Sequence, residues 1–233
     1  MKRLVFLITS VTFWGSVFAD QCHPQIDSSQ LNFIVGYGSL MNDSSRMRTN
    51  PQAKNVYPVE VKNFERVWGL RAGGSYRTTG LLVVPKPGEH LNAVYYPVDY
   101  KGVKQADERE NFYCRYKIPS SDIKSLGLKN LQKGDYWIYA KQPKDIQKPT
   151  TEFPIIQSYV DLFITGCMQI QDRYLIKGFV KECIATTKYW NNNTWINDRV
   201  NPRRPTDSTP EALQVDKYLG KALGSKYYDH KYE

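Results

Sequence analysis

Residues 31–40 read LNFIVGYGSL, a mostly apolar run that gives way to glycine and serine. Apolar character without alternation marks a strand buried on both faces, and the glycines mark its abrupt end. A strand closing on Gly36-Tyr37-Gly38-Ser39-Leu40 exposes consecutive backbone N–H groups, and the glycines let a ligand approach the main chain. Such a concavity suits a carboxylate or an oxyanion, although a plain turn is the other reading of the same residues. No lysine follows at the Walker spacing and the glycines do not make G-x-G-x-x-G, so neither phosphate-loop motif is present.

Outward from this strand, Val56 to Gly69 alternates loosely, and Thr78 to Val84 and Ala93 to Val98 are β-branched or aromatic runs. Gly73-Gly74 and Pro85-Lys86-Pro87-Gly88 between them read as turns. Trp137 to Ala140 reads as a further strand, and Ile155 to Gln169 has helical periodicity. Near the end, Thr209 as cap, Pro210 and Glu211 in the first turn, and an apolar face of Leu213, Tyr218, Leu219, Ala222 and Leu223 predict a helix that stops at Gly224. Strands cluster early and helices late, which makes the fold class α+β.

A second segment carries chemistry. In VKQADERENFY (103–113) a helix over about Lys101 to Tyr113 would put Val103, Ala106, Asp107 and Glu110 at i, i+3, i+4 and i+7, on one face. Two carboxylates beside apolar anchors would be partly desolvated, which suits proton transfer. The alternative is a marginal surface helix whose Asp107 and Glu110 are solvated or paired with Lys or Arg.

With 233 residues, 41% hydrophobic and 13% aromatic, the chain has material for one sizeable core, which excludes wholesale disorder and a minimal disulfide knot. A mean hydropathy of −0.55 excludes a polytopic membrane protein. Lys2 and Arg3, the apolar run Leu4 to Phe18 and the small residues around Ala19 read as a secretory signal peptide (1–19), cleaved before Asp20. Residues 20–233 are then one domain with a C-terminal helical extension, secreted or periplasmic and with no membrane attachment after cleavage. Loss of Lys2 and Arg3 takes the net charge from +9 to +7. Cys22, Cys114, Cys167 and Cys183 in an oxidising compartment predict one or two disulfides, with three full pairings open. There is no C-x-x-C, and His23, His90 and His230 are scattered, so no zinc site is expected.

The YGSL strand end, the run VEVKNFERVWGLR (59–71) and Asp107-x-x-Glu110 followed by aromatics, in that order, resemble the γ-glutamylcyclotransferase-like family. The resemblance runs from about Phe33 to Tyr116 and more faintly to Gly178. It implies a small mixed barrel-like sheet flanked by helices, a loop of Tyr37, Gly38, Ser39 and Leu40 that binds a γ-glutamyl group, and Glu110 as catalytic base. Tyr159 resembles a pocket tyrosine of the family, with Tyr116 and Tyr139 as further candidates. The implied reaction is cyclisation of a γ-glutamyl amine, a γ-glutamyl peptide or glutathione to 5-oxoproline, without metal or cofactor. Met41-Asn42 after YGSL departs from the tryptophan-containing version of the glutathione-degrading branch. Asn111-Phe112 also stands where a glycine is common in the family.

The expected partner is thus a small γ-glutamyl molecule. A second reading is a non-catalytic binding module that holds an acidic small molecule or a partner's carboxylate on the same scaffold. Nucleic acid is not expected, because the basic residues are spread along the chain and no recognition motif appears. Trp195-Ile-Asn-Asp-Arg199 with Arg203-Arg204 reads either as a solvated surface loop or as a border of the pocket that grips a substrate carboxylate.

Overall fold

The computed structural model describes residues 22–73, 76–190, 192–204, 211–228 and 231–232. The proposed signal peptide, the Thr209-Pro210 helix start and His230 lie outside them. In chain order the elements are β1 (Asn32–Gly36), α1 (Asp43–Thr49), β2 (Tyr57–Ala72), β3 (Thr78–Val98), α2 (Tyr100–Arg109), β4 (Cys114–Ile118), β5 (Ile123–Ser125), β6 (Asp135–Ala140), β7 (Ile155–Ile156) and α3 (Gln157–Tyr174). There follow α4 (Phe179–Ala185), β8 (Thr187–Lys188), β9 (Trp195–Asn197), α5 (Ala212–Leu223), α6 (Ser225–Tyr228) and β10 (Lys231–Tyr232).

Among the described residues a curled, half-barrel sheet has the order β4-β6-β1-β3-β2-β5, with β8 added beside β2. A small second sheet has the order β10-β9-β7. β1 lies in the middle of the large sheet, antiparallel to β3 and parallel to β6, which is why it is apolar on both sides. Phe33 and Val35 face the barrel interior with Val83, Tyr95 and Ile138, while Ile34 packs with Tyr96, Ala106 and Tyr139. A second core gathers α3, α4 and α5 against the sheet through Trp68, Phe163, Ile184, Val215 and Leu219. The expected α+β class, with a barrel-like mixed sheet flanked by helices, is the observed one.

Three local expectations are corrected. Pro85 to Gly88 is not a turn between strands but an outward bulge within β3. Lys62 pairs with His90 and Phe64 with Pro85, so Lys86 to Glu89 oppose Asn63 alone. Asn63 (φ 63°) and Gly88 (φ 85°) both take left-handed backbone there, and the Gly88 N–H donates to Asn63 Oδ1 at 3.1 Å. The bulge keeps the long β2–β3 hairpin continuous and lets it curl. The 101–113 helix ends early, at Arg109. Finally, Leu213 is 70% exposed and Val215 takes its expected place in the core.

The cysteines form Cys22–Cys114 and Cys167–Cys183, separated by 92 and 16 residues. Loop closure of this size stabilises by roughly 3–5 kcal/mol per bridge. The two bridges are compatible with an exported protein, and no helix among the described residues is long and apolar enough to cross a membrane.

Candidate active site

The chain turns back on itself directly after β1. A Cβ on Gly36 would lie 2.7 Å from Leu40 Cβ, so only glycine permits this close return. Ser39–Met41 forms a single helical turn, closed by the Met41 N–H on the Gly38 carbonyl at 3.0 Å. The N–H groups of Ser39 and Leu40 precede that bond and have no acceptor within the turn. Two buried arginines hold this loop by its carbonyls. Arg46 donates to the Leu40 and Met41 carbonyls at 3.1 and 3.3 Å. Arg66 donates to the Tyr37 carbonyl at 3.1 Å.

Arg66 has no carboxylate partner within hydrogen-bond distance among the described residues. Its other acceptors are Thr187 Oγ1, the Asn92 carbonyl, Asn92 Oδ1, the Cys183 carbonyl and Thr186 Oγ1, with the Phe163 ring 4.8 Å away. Burial pulls its pKa down to about 9, with Glu182, Tyr159 and Tyr37 opposing, so the guanidinium stays charged at neutral pH. Arg46 is paired with Asp43, whereas Arg66 brings to the Tyr37 carbonyl a buried positive charge that no carboxylate among the described residues meets directly, a setting that favours an anionic ligand at the loop.

Across the pocket, Asp99 caps α2 by accepting from the Gly102 N–H at 2.6 Å, and the buried Val103 and Ala106 seat the helix. Glu110 is its C-cap residue, with its N–H on the Ala106 carbonyl at 2.8 Å. The next turn is fixed by the Tyr113 N–H on the Glu110 carbonyl and then by the bridge at Cys114. Glu110 Oε1 is taken by Arg109, at 2.9 Å from Nε and 2.7 Å from Nη2. Its other carboxylate oxygen has no partner among the described residues. Asp107 does not line the pocket. It accepts from Arg115 Nε at 2.8 Å and from Tyr139 Oη at 2.7 Å, and the Tyr139 carbonyl in turn accepts from Tyr37 Oη at 2.9 Å. Asp107 is thus a support that steadies two pocket tyrosines.

The predicted residues come together. A pocket of about 420 Å³ is lined by Tyr37, Gly38, Ser39, Leu40, Glu110 and Tyr159, together with Tyr113, Tyr139, Leu81, Arg203 and Arg204. Burial pushes the Tyr37 hydroxyl pKa well up, and Tyr113, Glu110 and Tyr159 push it further. Tyr113 is raised in the same way, by burial first and then by Tyr159 and Glu110. Tyr116 is not part of this group; its hydroxyl accepts from Gln142 on the outer edge. Tyr113 was not singled out from the sequence, although its place in the turn after Glu110 is the local signal that marks it.

The last wall is a surprise of composition. The WINDR stretch is not a solvated loop: Trp195 is fully buried and β9 pairs with β7. Asp198 accepts from Ser158 N–H and Ser158 Oγ, each at 2.7 Å, and from the Arg203 N–H at 2.8 Å. Arg199 bonds Asp161 and Asp216 together. These buried charges dock the segment that carries Arg203 and Arg204 against the start of α3, beside Tyr159.

A half-barrel mixed sheet with helices on its outer side makes this a γ-glutamyl cyclotransferase-like fold. A solved γ-glutamyl cyclotransferase matches with TM-score 0.50 at 13% identity, over 81% of this chain and 98% of its own. An uncharacterized human protein matches with TM-score 0.50 at 11% identity, over 80% of this chain and 98% of its own. No protein-family model and no curated protein matches the sequence.

Proposed function

We propose that the protein is an exported γ-glutamyl cyclising enzyme. One observation carries the reading: Glu110 and the Tyr37–Leu40 loop line the same pocket. In a γ-glutamyl compound the α-amine lies within reach of the γ-carbonyl, so the nucleophile is already positioned by the substrate. Glu110 takes a proton from the α-ammonium, and the freed nitrogen attacks the γ-carbonyl carbon. The ring C–N bond forms as the γ-oxygen takes negative charge, stabilised by the Ser39 and Leu40 N–H groups. Glu110 then returns the proton to the departing nitrogen. The old C–N bond breaks, and 5-oxoproline and a free amine or amino acid result. The ring nitrogen still carries two hydrogens after attack and gives one more proton to Glu110, which passes it to the released amine. The two protons lost from the α-ammonium thus leave on the departing ammonium, and the chemistry calls for no cofactor. Tyr37, Tyr113 and Tyr139, kept neutral by burial, and Tyr159, packed against Trp68, shape the site and limit water.

The test is 5-oxoproline release from γ-glutamyl amines, γ-glutamyl dipeptides and glutathione, with wild type and Glu110→Gln side by side. Release by wild type that the variant lacks supports the reading. Tight, reversible binding with no 5-oxoproline over long incubation would instead make the protein a binding module on this scaffold.

A further inference from the structure

Among the described residues, the charged ones lining the pocket are Glu110, Arg203 and Arg204. Glu110 already has Arg109 beside it, so the cavity presents more cationic than anionic character to a ligand. The two arginines stand at the rim. Leu81, Ile156 and Tyr159 of the pocket lining are buried, whereas Tyr76 is 55% exposed and the arginines are half-buried. Arg203 Nη1 reaches the Arg77 carbonyl at 3.1 Å, which links this segment to the end of the β2–β3 hairpin at the mouth. Arg204 lies 4.4 Å over the Tyr159 ring, and its side chain pairs with no carboxylate among the described residues. A guanidinium stacked on an aromatic ring keeps its N–H edge available for a planar anion and loses little freedom on binding one.

The Tyr159 ring is itself fixed. Trp68 meets it edge-on at 5.6 Å, and Cβ atoms on Gly38 and Gly80 would come within 3.1 and 3.4 Å of it. Buried Asp198 pins the backbone at Arg203 to Ser158, immediately before Tyr159. The rim cations are therefore held in place by buried charge and aromatic packing.

From this we infer that Arg203 and Arg204 form a carboxylate subsite for the part of the substrate that is released. The inference rests on the cyclisation reading: with the γ-glutamyl head at the Tyr37–Leu40 loop, the released part faces the rim. A γ-glutamyl amine carries one carboxylate, on the head; a γ-glutamyl amino acid or peptide carries a second at its far end. The subsite selects the latter class.

The experiment pairs γ-glutamyl-alanine with its C-terminal amide, and glutaryl-alanine with its amide. The glutaryl compounds lack the α-amine and cannot cyclise, so they report binding alone. Wild type should favour each acid by about tenfold or more, the usual size of a charge-assisted hydrogen bond. Arg203→Ala/Arg204→Ala should collapse that preference, and Arg204→Lys should keep part of it. Equal handling of acid and amide by wild type would overturn the subsite. So would a double variant that weakens acid and amide alike, which would place the arginines on the glutamyl head or in a purely structural role. If no 5-oxoproline forms yet glutaryl-alanine still binds better than its amide through these arginines, the subsite stands and the cyclisation reading falls.

Discussion

The two walls of the pocket are built by different physics. The wall that carries Tyr37–Leu40 and Glu110 takes its shape from short-range devices, a strand end with a glycine return and a capped helix, tied down by Arg46 and Arg66 and by the disulfide from Cys114 to Cys22. The wall that carries Tyr159, Arg203 and Arg204 depends on buried charges brought from afar. Asp198 sits 40 residues from Ser158, and Arg199 joins residues 38 and 17 positions away. Locally built structure tolerates loss of a side chain that only does chemistry. Structure held by buried charge does not tolerate loss of either partner, since the other is left desolvated.

The largest expected effect breaks chemistry alone. Glu110→Gln should lower 5-oxoproline formation at least about a hundredfold, the lower end of a general-base contribution. Its thermal midpoint should hardly move, because among the described residues the side chain's only charged contact is to its neighbour Arg109. A large drop in midpoint would mean that the first wall relies on the Glu110–Arg109 pair as well as on its local turns.

Arg66 spans both walls, since it holds the Tyr37 carbonyl on one side and the Cys183 carbonyl and Thr186 on the other. Arg66→Met should cost about 3–5 kcal/mol in urea unfolding, because several buried acceptors lose their donors at once. Arg66→Lys should lose less, as one ammonium replaces part of the fan. A cost below about 1 kcal/mol would show that the two walls are mechanically independent.

That difference also explains what could be read from the sequence. LNFIVGYGSL and the Asp107/Glu110 spacing are local patterns, and they located the central strand, the loop and the carboxylate. The helix boundary was misplaced because Glu110 lies on the extrapolated face of α2 yet just past its last residue. Pro85–Gly88 carries every mark of a turn, but the hairpin is paired on both sides of it, and cross-strand pairing outweighed local preference. Arg46 and Arg66 gave no signal at all. Their charge suggested surface, and the acceptors of Arg66 that bury it are contributed mostly by residues up to 121 positions away. The same holds for Trp195 and Asp198, buried within a stretch that looks polar by composition.

A milder change sharpens the account of the second wall. Asp198→Asn keeps the shape but turns one acceptor oxygen into a donor, facing Ser158 and the Arg203 N–H. It should cost about 1–3 kcal/mol of stability. With γ-glutamyl-alanine it should raise KM more than it lowers kcat, because the rim loosens while Glu110 stays in place. A fall in kcat alone would contradict this division of roles.

The smallest effect is a pH signature of the tyrosines on the Glu110 side of the pocket. Burial holds the hydroxyls of Tyr37, Tyr113 and Tyr139 above their ordinary value of 10.0, with nearby carboxylates and tyrosines adding to the shift. A tyrosine whose folded pKa is raised contributes stability that is complete below its unfolded value and declines as pH climbs above it. The unfolded chain ionises there and the folded one does not. Stability should thus fall above about pH 10 while Tyr37, Tyr113 and Tyr139 stay protonated in the native state. On alkaline titration part of the tyrosinate absorbance should appear without structural change. The remaining tyrosinate absorbance should appear together with loss of the near-ultraviolet circular dichroism. If tyrosinate absorbance instead reached completion with the dichroism intact, water would have free access to the pocket, and neither wall would seal the site.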